Sequence, residues 1–225
     1  GIGLRLISNS STVWPRSSHS FAVFSVYFFI LSQILFPSKS VVINPIFSLP
    51  RSFPVYSKKF SWINGYNKTS NGKAEAGKKI IKAFNFGKSK SKIKYDLIGK
   101  FDGDIILPKN YFEKMIQHFK KNINIGICSG TLYVKKNNKW IHESLHDKKH
   151  IRGATKLYSK KCFKDIGGLS ENLGWDTIDE LLAKYFNYKT KVDDKLIVKH
   201  LRTTTERYKK NHVFNQGILM YRLRY

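Results

Sequence analysis

The run Ile93-Lys-Tyr-Asp-Leu-Ile-Gly-Lys-Phe-Asp-Gly-Asp104 joins a strand to a pair of acids. Residues 93–101 carry enough large apolar side chains to read as a buried strand. Asp102 and Asp104 stand at its carboxyl end, where open α/β sheets bind their ligands. Two carboxylates separated by a single glycine can reach one divalent cation. Hard oxygen ligands of this kind suit Mg²⁺ or Mn²⁺, which keep part of their shell for substrate phosphate. A bare Asp-Gly-Asp is more often a solvated turn; the strand before it raises this one to a candidate site.

Working outward, Pro108 sits where a first helical turn tolerates proline. Tyr111, Phe112, Met115, Ile116 and Phe119 then recur on one helical face. Residues 123–128 and 131–134 read as strands, with Asn137-Asn138 as a turn before Trp140. Residues 153–158 read as a further strand, followed by a short helix through Cys162 and Phe163 that stops at Gly167-Gly168. Ile178, Leu181, Leu182, Tyr185 and Phe186 mark another helix, and residues 196–198 a strand running into His200. Upstream, Asn71-Gly-Lys73 opens a helix with Ile80, Ile81 and Phe84 on one side. Strands alternating with helices predict an α/β fold with a mostly parallel sheet.

Other chemistry-bearing residues follow. Asp176, in Gly174-Trp-Asp-Thr-Ile-Asp-Glu180, reads either as a helix N-cap or as a general base, with Trp175 as a flat platform beside it. Asp179 and Glu180 are expected to support the helix dipole. His200 reads as a structural histidine or as the third member of an Asp/Asp/His metal set. His142, His146 and His150 read as a polar loop, and Cys128 and Cys162 as reduced, half-buried thiols of a cytoplasmic protein.

The 225 residues contain 41 Lys+Arg against 15 Asp+Glu, a formal net charge of +26. That balance points to a polyanionic partner such as nucleic acid, an anionic membrane surface or a phosphorylated substrate. Of the 41, however, 33 are Lys and only 8 Arg, whereas phosphate and base readout favour Arg. Residues 1–74 hold 8 basic residues and no acid. The apolar run 21–36 within them is shorter than the roughly 20 residues of a bilayer span, and reads more readily as a core helix or a strand pair.

Several ordered motifs together carry a resemblance. They are Lys100-Phe-Asp-Gly-Asp104 with the residues through Glu113, Ile125-Gly-Ile-Cys-Ser-Gly130, His150-Ile-Arg-Gly-Ala-Thr-Lys-Leu-Tyr158, Cys162-Phe-Lys-Asp-Ile-Gly-Gly-Leu169, Gly174-Trp-Asp-Thr-Ile-Asp179 and Val198-Lys-His-Leu-Arg202. This series resembles a glycosyltransferase of family 2 with the GT-A nucleotide-sugar fold, over roughly residues 61–221. The resemblance implies inverting transfer of a sugar from a nucleotide-diphosphate donor to a hydroxyl acceptor, a glycan or lipid-linked glycan, for cell-surface polysaccharide or glycolipid synthesis. It implies Asp102, Asp104 and His200 as ligands of Mg²⁺ or Mn²⁺, and Asp176 as catalytic base, with Trp175 where the family more often has Glu. Gly72, Lys73, Asp102 and Arg152 would face the donor diphosphate, and Trp175 and Gly153 the acceptor. The expected place is the cytoplasm, at the inner face of a membrane.

The resemblance fades at the N-terminus. Where family members carry acids for the nucleotide, this chain has Pro45-Ile-Phe-Ser. Residues 1–60 are therefore expected to be an incomplete or irregular segment, a degraded or frameshifted donor half without sheet partners, ahead of a core over 61–225. The chain opens on Gly1 rather than Met, which fits a truncated start. Two other classes compete: a basic nucleic-acid-binding module, which leaves Asp102, Asp104, Asp176 and Asp179 without a role, and a membrane-peripheral protein with an inactive transferase-like domain.

Overall fold

The computed structural model describes residues 77–91, 94–143, 149–201, 217, 220 and 221, and the backbone of 26–32 and 40–46. Among these, eight strands form one sheet. They are β1 (Val26–Ser32), β2 (Ser40–Ile46), β3 (Leu97–Asp102), β4 (Ile105–Ile106), β5 (Ile125–Lys136), β6 (Lys139–His142), β7 (Thr155–Ser159) and β8 (Lys189–His200). The order is β2-β1-β3-β7-β5-β8-β4, with β6 paired to β5 off this path. Four helices accompany the sheet: α1 (Lys78–Lys90), α2 (Tyr111–Lys121), α3 (Lys160–Asp165) and α4 (Trp175–Tyr185).

Side chains alternate across the strands, and the core divides accordingly. On β3, Ile98 joins a cluster with Ile81 and Phe84 of α1, Phe163 of α3 and Trp175 of α4. Its neighbours Leu97 and Phe101 join Tyr111, Met115 and Phe119 of α2 in a second cluster. The helix spacings read from the sequence account for both: Ile81 and Phe84 are three apart, and Tyr111, Met115 and Phe119 recur every four. Asn137 and Asn138 both adopt positive φ, 46° and 60°. That is the backbone of a tight two-residue hairpin turn, and Lys136 pairs with Lys139 across it.

The mixed α/β class stands, but the balance of strand directions differs from the expected one. Only β5 and β8 run parallel; β1–β2, β1–β3, β3–β7, β4–β8, β5–β6 and β5–β7 are antiparallel. The Asn137-Asn138 turn folds β6 back on β5, and a tight turn of this kind can only join antiparallel strands. Residues 125–136 are also one long strand rather than two.

The N-terminal segment corrects the expectation of missing sheet partners. Phe29 lies opposite Ile43 and also opposite Gly99, so β1 sits between β2 and β3. Val26-Tyr-Phe-Phe-Ile30 and Val41-Val-Ile43 are runs of β-branched and aromatic residues, which favour strands over helix. Pro45 is accommodated because β2 ends the sheet, where an edge strand can forgo a backbone donor. Residues 1–25 and 47–60 lie outside the described residues. Cys128 and Cys162 are free and fully buried, not half-buried. Among the described residues no helix is long and apolar enough to cross a membrane.

Candidate active site

Asp102 is the last residue of β3, and Gly103 turns the chain into β4. There Ile105 pairs with His200 at the end of β8, and the Leu201 amide donates to the Asp104 carbonyl at 2.8 Å. Asp104 and His200 are thus locked together by backbone. The ligand atoms of Asp102, Asp104 and His200 all lie within 4.8 Å of one another.

His200 is buried between two carboxylates. Its Nε2 is 3.5 Å from Asp104 Oδ1 and its Nδ1 3.5 Å from Glu143 Oε2. Glu143 is also 3.4 Å from the Arg152 guanidinium. Burial alone would push the imidazole pKa down, but the two neighbouring carboxylates, Asp104 and Glu143, together outweigh it and raise the group to about 9. Two half-buried carboxylates and one imidazole form an oxygen–nitrogen set that fits a divalent cation and leaves positions for phosphate oxygens.

The second half of the site is the start of α4. Gly174, at φ 77°, caps the helix, so Asp176 is not its N-cap but lies in its first turn. A Cβ on Gly153 would come within 2.9 Å of Trp175 Cζ2 and 3.1 Å of Asp176 Oδ2. Only glycine lets the 152–154 loop approach this closely, which places Gly153, Trp175 and Asp176 together. Lys100 links the halves: its ammonium donates to Asp102 Oδ1 and to the Gly153 carbonyl (2.8 Å), and lies 5.0 Å from the Trp175 ring centroid. Trp175 itself is buried, with Lys156 5.6 Å from the same ring. It floors the site rather than offering an open platform.

Beneath this floor is a closed network. Lys156 donates to Asp179 Oδ1 at 2.6 Å and to the Asp176 carbonyl, while the Tyr158 hydroxyl donates to Asp179 Oδ2. Glu180 accepts from the Ile151 amide and lies 3.2 Å from His150 Nδ1. Burial raises the Asp179 carboxyl to about 6 against the opposing pull of Lys156 and Tyr158. Asp179 and Glu180 therefore do more than favour a helix dipole; they are buried acids that bind α4 to β7 and to the 150–151 segment.

The sequence reading missed Lys100, Glu143, Lys156 and Tyr158. A signal was present for the lysines, each set within a buried apolar strand, in Leu97-Ile-Gly-Lys-Phe101 and Ala154-Thr-Lys-Leu-Tyr158. The two are direct cross-strand partners on β3 and β7. Glu143 gave none. Arg152 reaches the site's edge, held by Glu143. Gly72 and Lys73 lie outside the described residues. So does His146; His142 ends β6 with its ring against Tyr133 rather than lying in a loop, and His150 is turned to Glu180.

No family model matches the chain, and no curated protein does. Solved structures do. With a crystal structure of GalNAc-T7 holding UDP, GalNAc and Mn²⁺, the chain shares a TM-score of 0.51 at 13% identity, over 69% of this chain and 35% of that one. With the mannosyltransferase PcManGT of Pyrobaculum calidifontis, in complex with GDP-Man and Mn²⁺, the values are 0.48 and 10%, over 70% and 46%. The chain thus spans less than half the length of either protein. The likeness to GalNAc-T7 shows the fold: a GT-A-like mixed sheet flanked by helices.

Proposed function

We propose that the chain is a glycosyltransferase of the family 2 type, moving a sugar from a nucleotide-diphosphate donor to a hydroxyl acceptor with inversion. The observation that carries this reading is the convergence of Asp102, Asp104 and His200 on one point, with Asp176 across Lys100 from them. A cation site of this composition beside an unengaged carboxylate is what displacement of a diphosphate by a hydroxyl requires.

Asp102, Asp104 and His200 would hold Mg²⁺ or Mn²⁺, which when bound supplies positive charge to the departing diphosphate. Lys100 fixes Asp102 through its Oδ1. Asp176 takes the proton from the acceptor hydroxyl; the Lys156 bond to its carbonyl fixes its backbone and leaves the carboxylate free to do so. Gly153 and the buried Trp175 shape the acceptor side. Arg152, and Gly72 and Lys73 by the family resemblance, belong to the donor side. The acceptor class is a glycan or lipid-linked glycan for cell-surface polysaccharide or glycolipid. The basic surface suits work at the cytoplasmic face of an anionic membrane.

The test is nucleoside-diphosphate release from a panel of UDP- and GDP-sugars, with and without Mn²⁺. Asp176→Asn should lower kcat by on the order of 10²–10⁴ with Mn²⁺ and donor affinity unchanged. Wild-type turnover in that variant would remove Asp176 as the base, and no turnover of any donor by the wild type would overturn the transferase reading.

A further inference from the structure

His200 can serve a cation only through one ring nitrogen, and the fold settles which. β8 runs along one side of β5, with His200 beside Val134. β6 runs along the other side, and just past its end the Glu143 amide donates to the Leu132 carbonyl of β5 at 3.0 Å. Leu132 and Val134 alternate onto one face of β5, so Glu143 and His200 stand on that face, about 10 Å apart at the backbone by two strand spacings. Their side chains close the gap over β5, bringing Glu143 Oε2 to 3.5 Å from His200 Nδ1, an ion-pair distance at which the two buried atoms are not aligned as a hydrogen bond. Both side chains are more than nine-tenths buried. The Arg152 guanidinium, 3.4 Å from the same Oε2, anchors the carboxylate from the far side.

We propose that Glu143 is the positioning residue of the metal centre: it accepts Nδ1–H of His200 and so presents Nε2, the nitrogen on the Asp104 side, to the cation. The proposal rests on the metal-centre reading above. A carboxylate that accepts from the distal nitrogen of a ligating imidazole fixes both its tautomer and its ring orientation. Here the carboxylate comes from a hairpin two strands away. The segment just past β6, which carries no ligand itself, thereby becomes part of the site.

Mn²⁺ binding to the full chain, measured by calorimetry, tests this, with circular dichroism and thermal melting confirming that each variant is folded. Glu143→Ala should weaken binding 10–100-fold. Glu143→Gln keeps an amide oxygen that can accept from Nδ1–H, and should stay within about threefold of wild type. Equal losses in the two variants would overturn the proposal, because charge or direct ligation would then matter rather than the accepted hydrogen bond. Wild-type affinity in Glu143→Ala would overturn it too. If instead His200→Ala and Asp104→Asn both bind Mn²⁺ like wild type, the metal-centre reading itself falls and the proposal with it, an outcome distinguishable because both variants keep Glu143 and remove a ligand.

Discussion

Two acidic groups lie on either side of Trp175, and they are built to opposite ends. Asp102 and Asp104, at the carboxyl end of β3, are half-buried and turned toward a third donor, His200. Asp179 and Glu180, on α4, are buried almost completely and turned toward Lys156, Tyr158, His150 and a backbone amide. The residue types are the same. What differs is their company: Asp179 and Glu180 meet donors that hold the fold, while Asp102 and Asp104 converge with a third ligand-type side chain.

The largest expected effect falls on the closed group. Lys156 has no solvent exposure, and Lys156→Met leaves Asp179 buried without its counter-charge. Removing one partner of a buried pair costs about 3–5 kcal/mol, while replacing both by apolar groups is often near neutral. Urea unfolding should therefore show a large loss for Lys156→Met that Lys156→Met/Asp179→Leu largely recovers. A single variant within about 1 kcal/mol of wild type would mean that Asp179 is not held as an ion, and the contrast between the two groups would collapse.

A smaller effect follows from pH. The folded Asp179 carboxyl is raised from 3.8 to about 6, chiefly by burial. A raised acid binds its proton more tightly folded than unfolded, so between these values the native state carries the extra proton. Its contribution to stability is greatest below about pH 4, falls as pH climbs through the window to about 6, and is flat above. The full swing is on the order of 3 kcal/mol. Asn cannot titrate, so the stability of wild type relative to Asp179→Asn should drop between pH 4 and pH 6.5. A difference that stays level across that range would place the Asp179 pKa near its ordinary value and make the network more open than its geometry indicates.

Much of this was legible in the sequence where local pattern and tertiary need agreed. The face of α2, the Asn137-Asn138 turn and the strand leading to Asp102 all follow from spacing, and the convergence of Asp102, Asp104 and His200 followed once motif order was considered. Three things were not legible. Strand direction depends on which strands pair, and β7 lies antiparallel between β3 and β5, an arrangement that no local pattern marks. The pairing of β1 with β3 joins residues about seventy positions apart in sequence, beyond any local signal. Glu143 acquires its place only when β6 folds back on β5, so nothing near it in sequence marks it.

The helix α4 is where pattern and structure part most sharply, and there the smallest effect is the most informative. Leu181 and Tyr185, and Phe186 just past its end, are apolar yet 43%, 78% and 43% exposed, while Asp179, Glu180 and Ala183 are buried. The physical reason is Lys156: a buried ammonium at the middle of β7 draws an acid onto the inner face of the helix that crosses it, and the rest of the helix rotates with that acid. If so, Tyr185→Ser touches a surface position and should change stability by no more than about 0.5 kcal/mol. If the apolar face were the inner one, the same substitution would empty a core position and cost about 3–5 kcal/mol, as loss of a buried large aromatic does. The two outcomes differ by several kcal/mol, well beyond the error of a urea midpoint. The measurement therefore decides whether α4 is oriented by its hydrophobic residues or by the lysine beneath it.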